Sequence, residues 1–327
     1  MKIVVIVSGG LSETLQAAPL IAGLAETTDE PVVVACPPTA ADLAEELTGA
    51  GEVVPAAALA DGAGVRGLGR LWFELRRRRL DVAVVCSDSG RVRATVYAAA
   101  VPRRIGCEGG LSAILFTDRI PCDAGQNQGL QWLRLCRLLG SDAAAGGEAQ
   151  FTPGAAATTA AEQLLLSNGV ENGSRLLVAI APGQAFSDTS VAAWSPERYA
   201  HLANRLASRH GAGVILVGDE RDREAAEAMR LDLASETLDF CGELNLATTA
   251  AVIARCDLLV AADTPLLHVA AAVGTASVGL FGPTNGRRRA PAGSEHRVVQ
   301  AIPAGSRAAS LERIRVDDVL AGIESAL

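Results

Sequence analysis

The chain has 327 residues, enough for two ordinary domains with separate cores. Its formal net charge of −8 speaks against general nucleic-acid binding, which needs clustered Lys and Arg against phosphate. No apolar run approaches a transmembrane helix, and IVVIV near the start is too short for a signal-peptide core.

Aromatic residues make up only 3%, so the cores must be built mainly from Ala, Val and Leu. Seven cysteines (36, 86, 107, 122, 136, 241, 256) form no CxxC pair and leave one over. Several end apolar runs, which reads as small buried hydrophobes in a reducing cytosol.

Residues 2–7 predict a strand, SGGLS a turn and 13–26 an amphipathic helix. Strands follow at 31–36, 52–56, 81–86 and 103–107, with helices at 66–79 and 91–100. This alternation is the βα signature of an α/β, doubly wound parallel sheet. Residues 140–157 are rich in Gly and Ala, carry no period and read as a connection.

A second alternation begins with a helix at 158–168 and a strand at 175–181. Helices at 196–209, 220–230 and 246–255 alternate with strands at 213–218 and 238–242. The stretch DLLVAADTPLLHVAAAVGTASVGLFGPTN (257–285) then predicts buried strand, helix and buried strand. Thr264 suits an N-cap and Pro265 the first helical position. A helix N-terminus at the carboxyl edge of a parallel sheet is a ready anion site. A strand at 296–301 and a helix at 311–326 complete the chain.

In the first half, Gly9 and Gly10 permit close approach of a ligand to the turn after the first strand. This turn is not GxGxxG, and no acid ends the second strand, so dinucleotide binding is disfavoured. Glu13 follows, placed either for proton transfer or as an acid favoured at a helix N-terminus. Gly183 and Gln184 form a strand-to-helix turn that could serve a ligand or only the chain's own geometry. Residues 76–79 are four arginines, a run that commonly marks a solvated helix face but leaves an anionic acceptor or membrane surface open.

The pattern D-T-x-x-x-H-x-A-A-A-x-G followed by L-F-G-P-T resembles the nucleotide-sugar segment of the heptosyltransferases, glycosyltransferase family 9. MKIVVIV…GLSETLQAAPLIAGL, VPRRIG, LFTDRIP and APG…WSPERYAHLANRL extend the resemblance over nearly the whole chain. It implies a GT-B fold of two facing Rossmann-like domains, with donor and acceptor meeting between them. The expected organisation is an acceptor-side domain at 1–150, a connection at 151–171 and a nucleotide-sugar domain at 172–305. A final helix within 306–327 would pack back on the first domain.

The implied reaction inverts the anomeric centre, uses no metal and no cofactor, and draws on a nucleoside-diphosphate sugar, plausibly ADP-heptose, in the cytoplasm. The acceptor would be a carbohydrate, glycolipid or secondary metabolite. Glu13 stands where the family carries its general base, usually Asp. Asp263, Thr264, Leu266, Leu267 and His268 form the diphosphate cradle. Gly183 and Gln184 lie on one loop near the nucleotide, and Gly282, Pro283 and Thr284 on another. Arg287, Arg288 and Arg289 could supply a cationic field for the departing diphosphate.

The sequence departs from the family twice. Pro265 replaces Gly and removes a donor. Ala192 falls where a phosphate-contacting Lys is common. These departures motivate one alternative, a binding protein on a decayed fold. A sugar-nucleotide epimerase or hydrolase of the same architecture is another.

Overall fold

The computed structural model describes residues 1–327 except 61–63, 124, 142–150, 171–172, 174, 185, 187–193, 235 and 302–309. The chain divides into two compact units, Met1–Phe151 and Thr152–Leu327.

The first unit runs β1 (Ile3–Val7), α1 (Leu11–Ala25), β2 (Val32–Cys36), α2 (Ala41–Glu45) and β3 (Ala50–Pro55). It continues with α3 (Val65–Arg77), β4 (Val82–Cys86), α4 (Gly90–Ala98), β5 (Arg103–Cys107), β6 (Asp118–Ile120) and α5 (Gln128–Leu133). The strands form one parallel sheet in the order β3-β2-β1-β4-β5-β6.

The second unit runs α6 (Ala155–Ser167), β7 (Leu177–Ala181), α7 (Pro196–His210), β8 (Gly213–Leu216), α8 (Arg223–Arg230) and β9 (Thr237–Asp239). It ends with α9 (Leu246–Ile253), β10 (Leu258–Ala262), α10 (Pro265–Ala272), β11 (Ala276–Phe281), α11 (Gly286–Arg289), β12 (His296–Gln300) and α12 (Val316–Ala326). Its sheet, also parallel, has the order β12-β11-β10-β7-β8-β9.

Counted within each unit, both orders are 3-2-1-4-5-6. The winding direction reverses between β1 and β4 in one sheet and between β7 and β10 in the other. At such a reversal the flanking helices leave to opposite faces and open a crevice at the carboxyl ends of the strands. β1, β4, β7 and β10 are buried along their whole length, which explains their unbroken apolar runs.

Each sheet carries its own core. In the first, Val4 and Ile6 pack with Leu71, Leu75, Val92, Val96 and Phe116. In the second, Val178, Val260 and Leu280 pack with Tyr199, Leu202 and Leu206. The last helix, which the resemblance placed on the first domain, puts Val319, Leu320 and Ile323 into this second core.

Two details differ from the sequence reading. β6 (Asp-Arg-Ile) is too short and too charged to register as an apolar run, yet its backbone extends β5. Cys107 and Cys122 are joined in a disulfide between the end of β5 and the residues after β6. The expectation that all seven cysteines are reduced small hydrophobes therefore holds for five, which are free and buried.

Candidate active site

Glu13 lies in the first turn of α1, at the β1 end of the first crevice. Gly9 has φ +119°, and a Cβ there would come within 2.7 Å of the Glu13 carboxyl. Only glycine lets the side chain fold back over the turn. The Glu13 carboxylate accepts a hydrogen bond from the Gly10 amide at 2.9 Å. This is a capping interaction, so the helix-terminus role foreseen for Glu13 is present. It also fixes a half-buried carboxylate at the β1 end of the crevice.

In the second unit the two turns at the reversal point are those after β7 and β10. Pro182, Gly183 and Gln184 follow β7. Asp222, buried just before α8, accepts from the Gln184 amide at 2.6 Å and the Asp219 amide at 3.1 Å. Asp219 in turn accepts from the Phe186 amide at 2.8 Å. A Cβ on Gly183 or Gly218 would collide with the Asp222 carboxylate, so glycine is required at both positions. These two carboxylates staple the candidate nucleotide turn. The Asp-x-x-Asp spacing of 219–222 is a local capping signal, but its reach to Gln184 spans 38 residues and was not legible in the sequence.

Burial pushes the Asp222 carboxyl up to about 6, a second carboxylate at Asp219 adds to this, and the Gln184 and Asp219 amides oppose it. The folded chain thus holds this proton more tightly than the unfolded chain, whose carboxyl titrates near 3.8. The contribution to stability is full below pH 4 and is lost as pH rises through 6, about 3 kcal/mol in all. In urea titrations at pH 4 and pH 7, the stability advantage of wild type over Asp222→Asn should shrink with pH by about this amount. A constant gap contradicts the assignment.

After β10, Thr264 caps α10 in an extended conformation and Pro265 occupies the first helical position, as the sequence predicted. The Thr264 hydroxyl does not cap the helix. Its buried Oγ1 has no hydrogen-bond partner among the described residues. An orphaned buried hydroxyl costs free energy unless a ligand completes it. At the N-terminal end of a helix dipole, a phosphoryl oxygen is a fitting acceptor for that hydroxyl. The Leu266 and Leu267 side chains are buried in the core, which leaves only backbone to meet a ligand, and the Leu267 amide expected in the cradle is already engaged within the chain. The Leu267 amide donates to the Thr264 carbonyl at 3.2 Å.

Asp263 pairs within the protein. Its carboxylate accepts from Arg289 Nε at 2.9 Å. Arg289 is thereby held next to the residue that caps α10. The loop carrying it is rigidly built. Gln300 Oε1 accepts from the Gly286 amide at 3.0 Å, and Gln300 Nε2 donates to the Gly282 carbonyl at 2.7 Å. Asn285 Oδ1 accepts from the Arg287 amide at 3.1 Å and starts α11. Gly282 is buried in this loop, while Pro283 is exposed and Thr284 half-buried.

The His268 ring is buried and hydrogen-bonded to the Arg289 backbone. Burial first, then the charges of Arg289 and His296, push its pKa down to about 3. At neutral pH it is an uncharged ring supporting the arginine loop. The position of Ala192 lies outside the described residues.

Two six-stranded parallel sheets, each with its reversal point, constitute the GT-B fold of nucleotide-sugar enzymes. Residues 68–313 match Glycosyltransferase family 9 (heptosyltransferase), and the chain belongs to that family. It is 29% identical over 241 residues to lipopolysaccharide heptosyltransferase 2 of Salmonella typhimurium, covering 71% of this chain and 68% of the relative. Among solved structures, a family 9 glycosyltransferase from Veillonella parvula aligns with a TM-score of 0.84 at 17% identity, covering 99% of this chain and 97% of the other. The Escherichia coli ADP-heptose lipopolysaccharide heptosyltransferase II aligns with a TM-score of 0.75 at 22% identity, covering 100% and 98%. The protein is a glycosyltransferase that uses a nucleotide-sugar donor.

Proposed function

We propose that the enzyme transfers a heptose from ADP-heptose to an acceptor hydroxyl, with inversion and without a metal ion. The observation that carries this reading is the cradle at α10: an orphaned Thr264 hydroxyl at a helix N-terminus with an arginine held beside it by Asp263. Its chemistry matches a diphosphate, whose negative charge grows as the bond to the sugar breaks. The Salmonella relative is named as a lipopolysaccharide heptosyltransferase and the E. coli structure names ADP-heptose, which favours heptose and ADP. By the same relationship the acceptor is a lipopolysaccharide-type glycolipid or a comparable carbohydrate. We place the reaction in the cytoplasm.

In this mechanism the donor diphosphate lies on the 263–268 turn, steered by the Gly183-Gln184 turn that Asp222 secures. Glu13 removes the proton of the acceptor hydroxyl as it attacks the anomeric carbon. The C–O bond to the diphosphate breaks on the opposite face, which inverts the centre. Arg289 and the α10 dipole receive the departing charge.

Calorimetric titration of the full chain with ADP, UDP and GDP tests the donor half. ADP should bind most tightly. Absence of binding by all three removes the cradle assignment, and a preference for UDP removes ADP-heptose. Transfer should also survive excess EDTA unchanged. Loss with EDTA and recovery with Mg²⁺ or Mn²⁺ would show that arginine and helix dipole are insufficient counter-charges.

A further inference from the structure

The chain is acidic overall, yet residues 65–117 contain ten arginines against four carboxylates. Besides β4 and β5 of the first sheet, this segment supplies α3, α4 and the 3-10 turn Leu111–Leu115, which pack over that sheet. The inward sides of α3, α4 and the 3-10 turn Leu111–Leu115 share a core through Leu71, Leu75, Val92, Val96 and Ala113. Their outward sides therefore lie together on one surface.

Helical spacing sorts the outer side of α3. Arg66, Arg70, Phe73 and Arg77 form one stripe, and Trp72 and Arg76 lie beside it. Trp72 Nε1 donates to the Ala98 carbonyl at 3.1 Å, which links the stripe to the end of α4. There the Arg104 guanidinium lies 5.2 Å from the centre of the Tyr97 ring and its Nε donates to the Leu115 carbonyl at 2.7 Å. The surface is continuous from α3 to the 3-10 turn.

Its apolar residues are unusually open for a folded domain: Phe73 is 57% exposed, Ile114 79% and Leu111 98%. Among the described residues, neither Arg66 nor Arg70 has a hydrogen-bond or ion-pair partner. Both border a groove of about 570 Å³ between α3 and β3, lined also by Phe73, Val54, Pro55, Glu74 and Arg78, the carboxylate of Glu74 being neutralised by its ion pair with Arg78.

We propose that this face docks the enzyme on an anionic lipid bilayer, with arginines at the phosphate level and Trp72, Phe73, Leu111 and Ile114 entering the interface. Mixed cationic and aromatic side chains on one face are the composition that partitions to such a boundary. A polyanion such as nucleic acid would use the arginines but would leave the exposed Leu and Ile in water. The bilayer uses both. The groove between α3 and β3 takes a headgroup phosphate against Arg66 and Arg70. The inference is independent of the donor and acceptor named above, because its test contains neither.

The chain carries its own probe. Of its three tryptophans, Trp132 and Trp194 are buried and Trp72 is exposed. The full chain is mixed with vesicles of pure phosphatidylcholine and with vesicles containing 30% phosphatidylglycerol. It should sediment with the anionic vesicles only, and less as salt is raised. Trp72 emission should shift to the blue and be quenched by brominated acyl chains. Arg66→Glu combined with Arg70→Glu should weaken partitioning at least 25-fold, about five-fold per arginine lost. Arg230→Glu, an exposed change on α8 in the other unit, should leave it unaltered. Phe73→Ser should weaken partitioning while preserving the salt dependence. Equal binding to both vesicle types, unquenched tryptophan, or retention on heparin without vesicle binding overturns the proposal. Circular dichroism of each variant separates lost binding from lost folding.

Discussion

Glu13→Gln should lower kcat by roughly 10²–10⁴-fold, the usual range for losing a general base. The geometry makes this a clean substitution. Glu13 accepts from the Gly10 amide at 2.9 Å, and the oxygen of Gln can accept the same bond. The cap of α1 and the folded-back side chain over Gly9 survive, and only basicity is lost. Donor affinity should not change, because the cradle belongs to the other unit. A fall in kcat with constant Kd for ADP is the expected signature. Glu13→Asp retracts the carboxylate by one methylene but keeps its basicity, so it should be milder. Near wild-type turnover by Glu13→Gln leaves this residue as a helix cap and nothing more.

Much of the fold was legible because the central strands are buried on both faces. β1, β4, β7 and β10 can only be continuous apolar runs, and the helices between them show their own period. Edge elements obey weaker rules. β6 has no apolar run, and α5, QGLQWL, has neither length nor a clean stripe. Its start is set by the Asn127 side chain accepting from the Leu130 amide. The Cys107–Cys122 pair was hidden because spacing alone cannot say which thiols meet when several lie in apolar surroundings.

The candidate site divides in the same way. Thr264 and Pro265 announce a helix start locally, and the anion site follows from that start. What holds the site together is not local. Asp222 reaches the Gln184 turn across 38 residues and Arg289 reaches Asp263 across 26, joined only once the sheet is wound. A charge run such as 287–289 cannot reveal which of its members points inward. The structure separates them: Arg287 is exposed, while Arg289 is half-buried against Asp263.

That separation gives the second large expected effect. Arg289→Ala should reduce kcat by roughly 10²–10³-fold, the range for removing one preorganised donor from a developing oxyanion. Arg287→Ala, two residues away and solvated, should change it little. The difference tests position rather than charge, because both variants lose one cation. Arg289→Lys should recover only part of the activity. An ammonium cannot bridge Asp263 and phosphate as a guanidinium can, with Nε on one and the terminal nitrogens toward the other. Asp263→Asn keeps the arginine's charge but loosens its hold, so kcat should fall less than in Arg289→Ala. The His268 ring is bonded to the Arg289 backbone, so that contact survives side-chain removal. Arg289→Ala nevertheless strands the buried Asp263 carboxylate and should lower the melting temperature. Arg289→Ala combined with Asp263→Asn should recover stability but not kcat. Equal losses in Arg287→Ala and Arg289→Ala would mean a diffuse field, and unchanged turnover in both would remove this loop from leaving-group stabilisation.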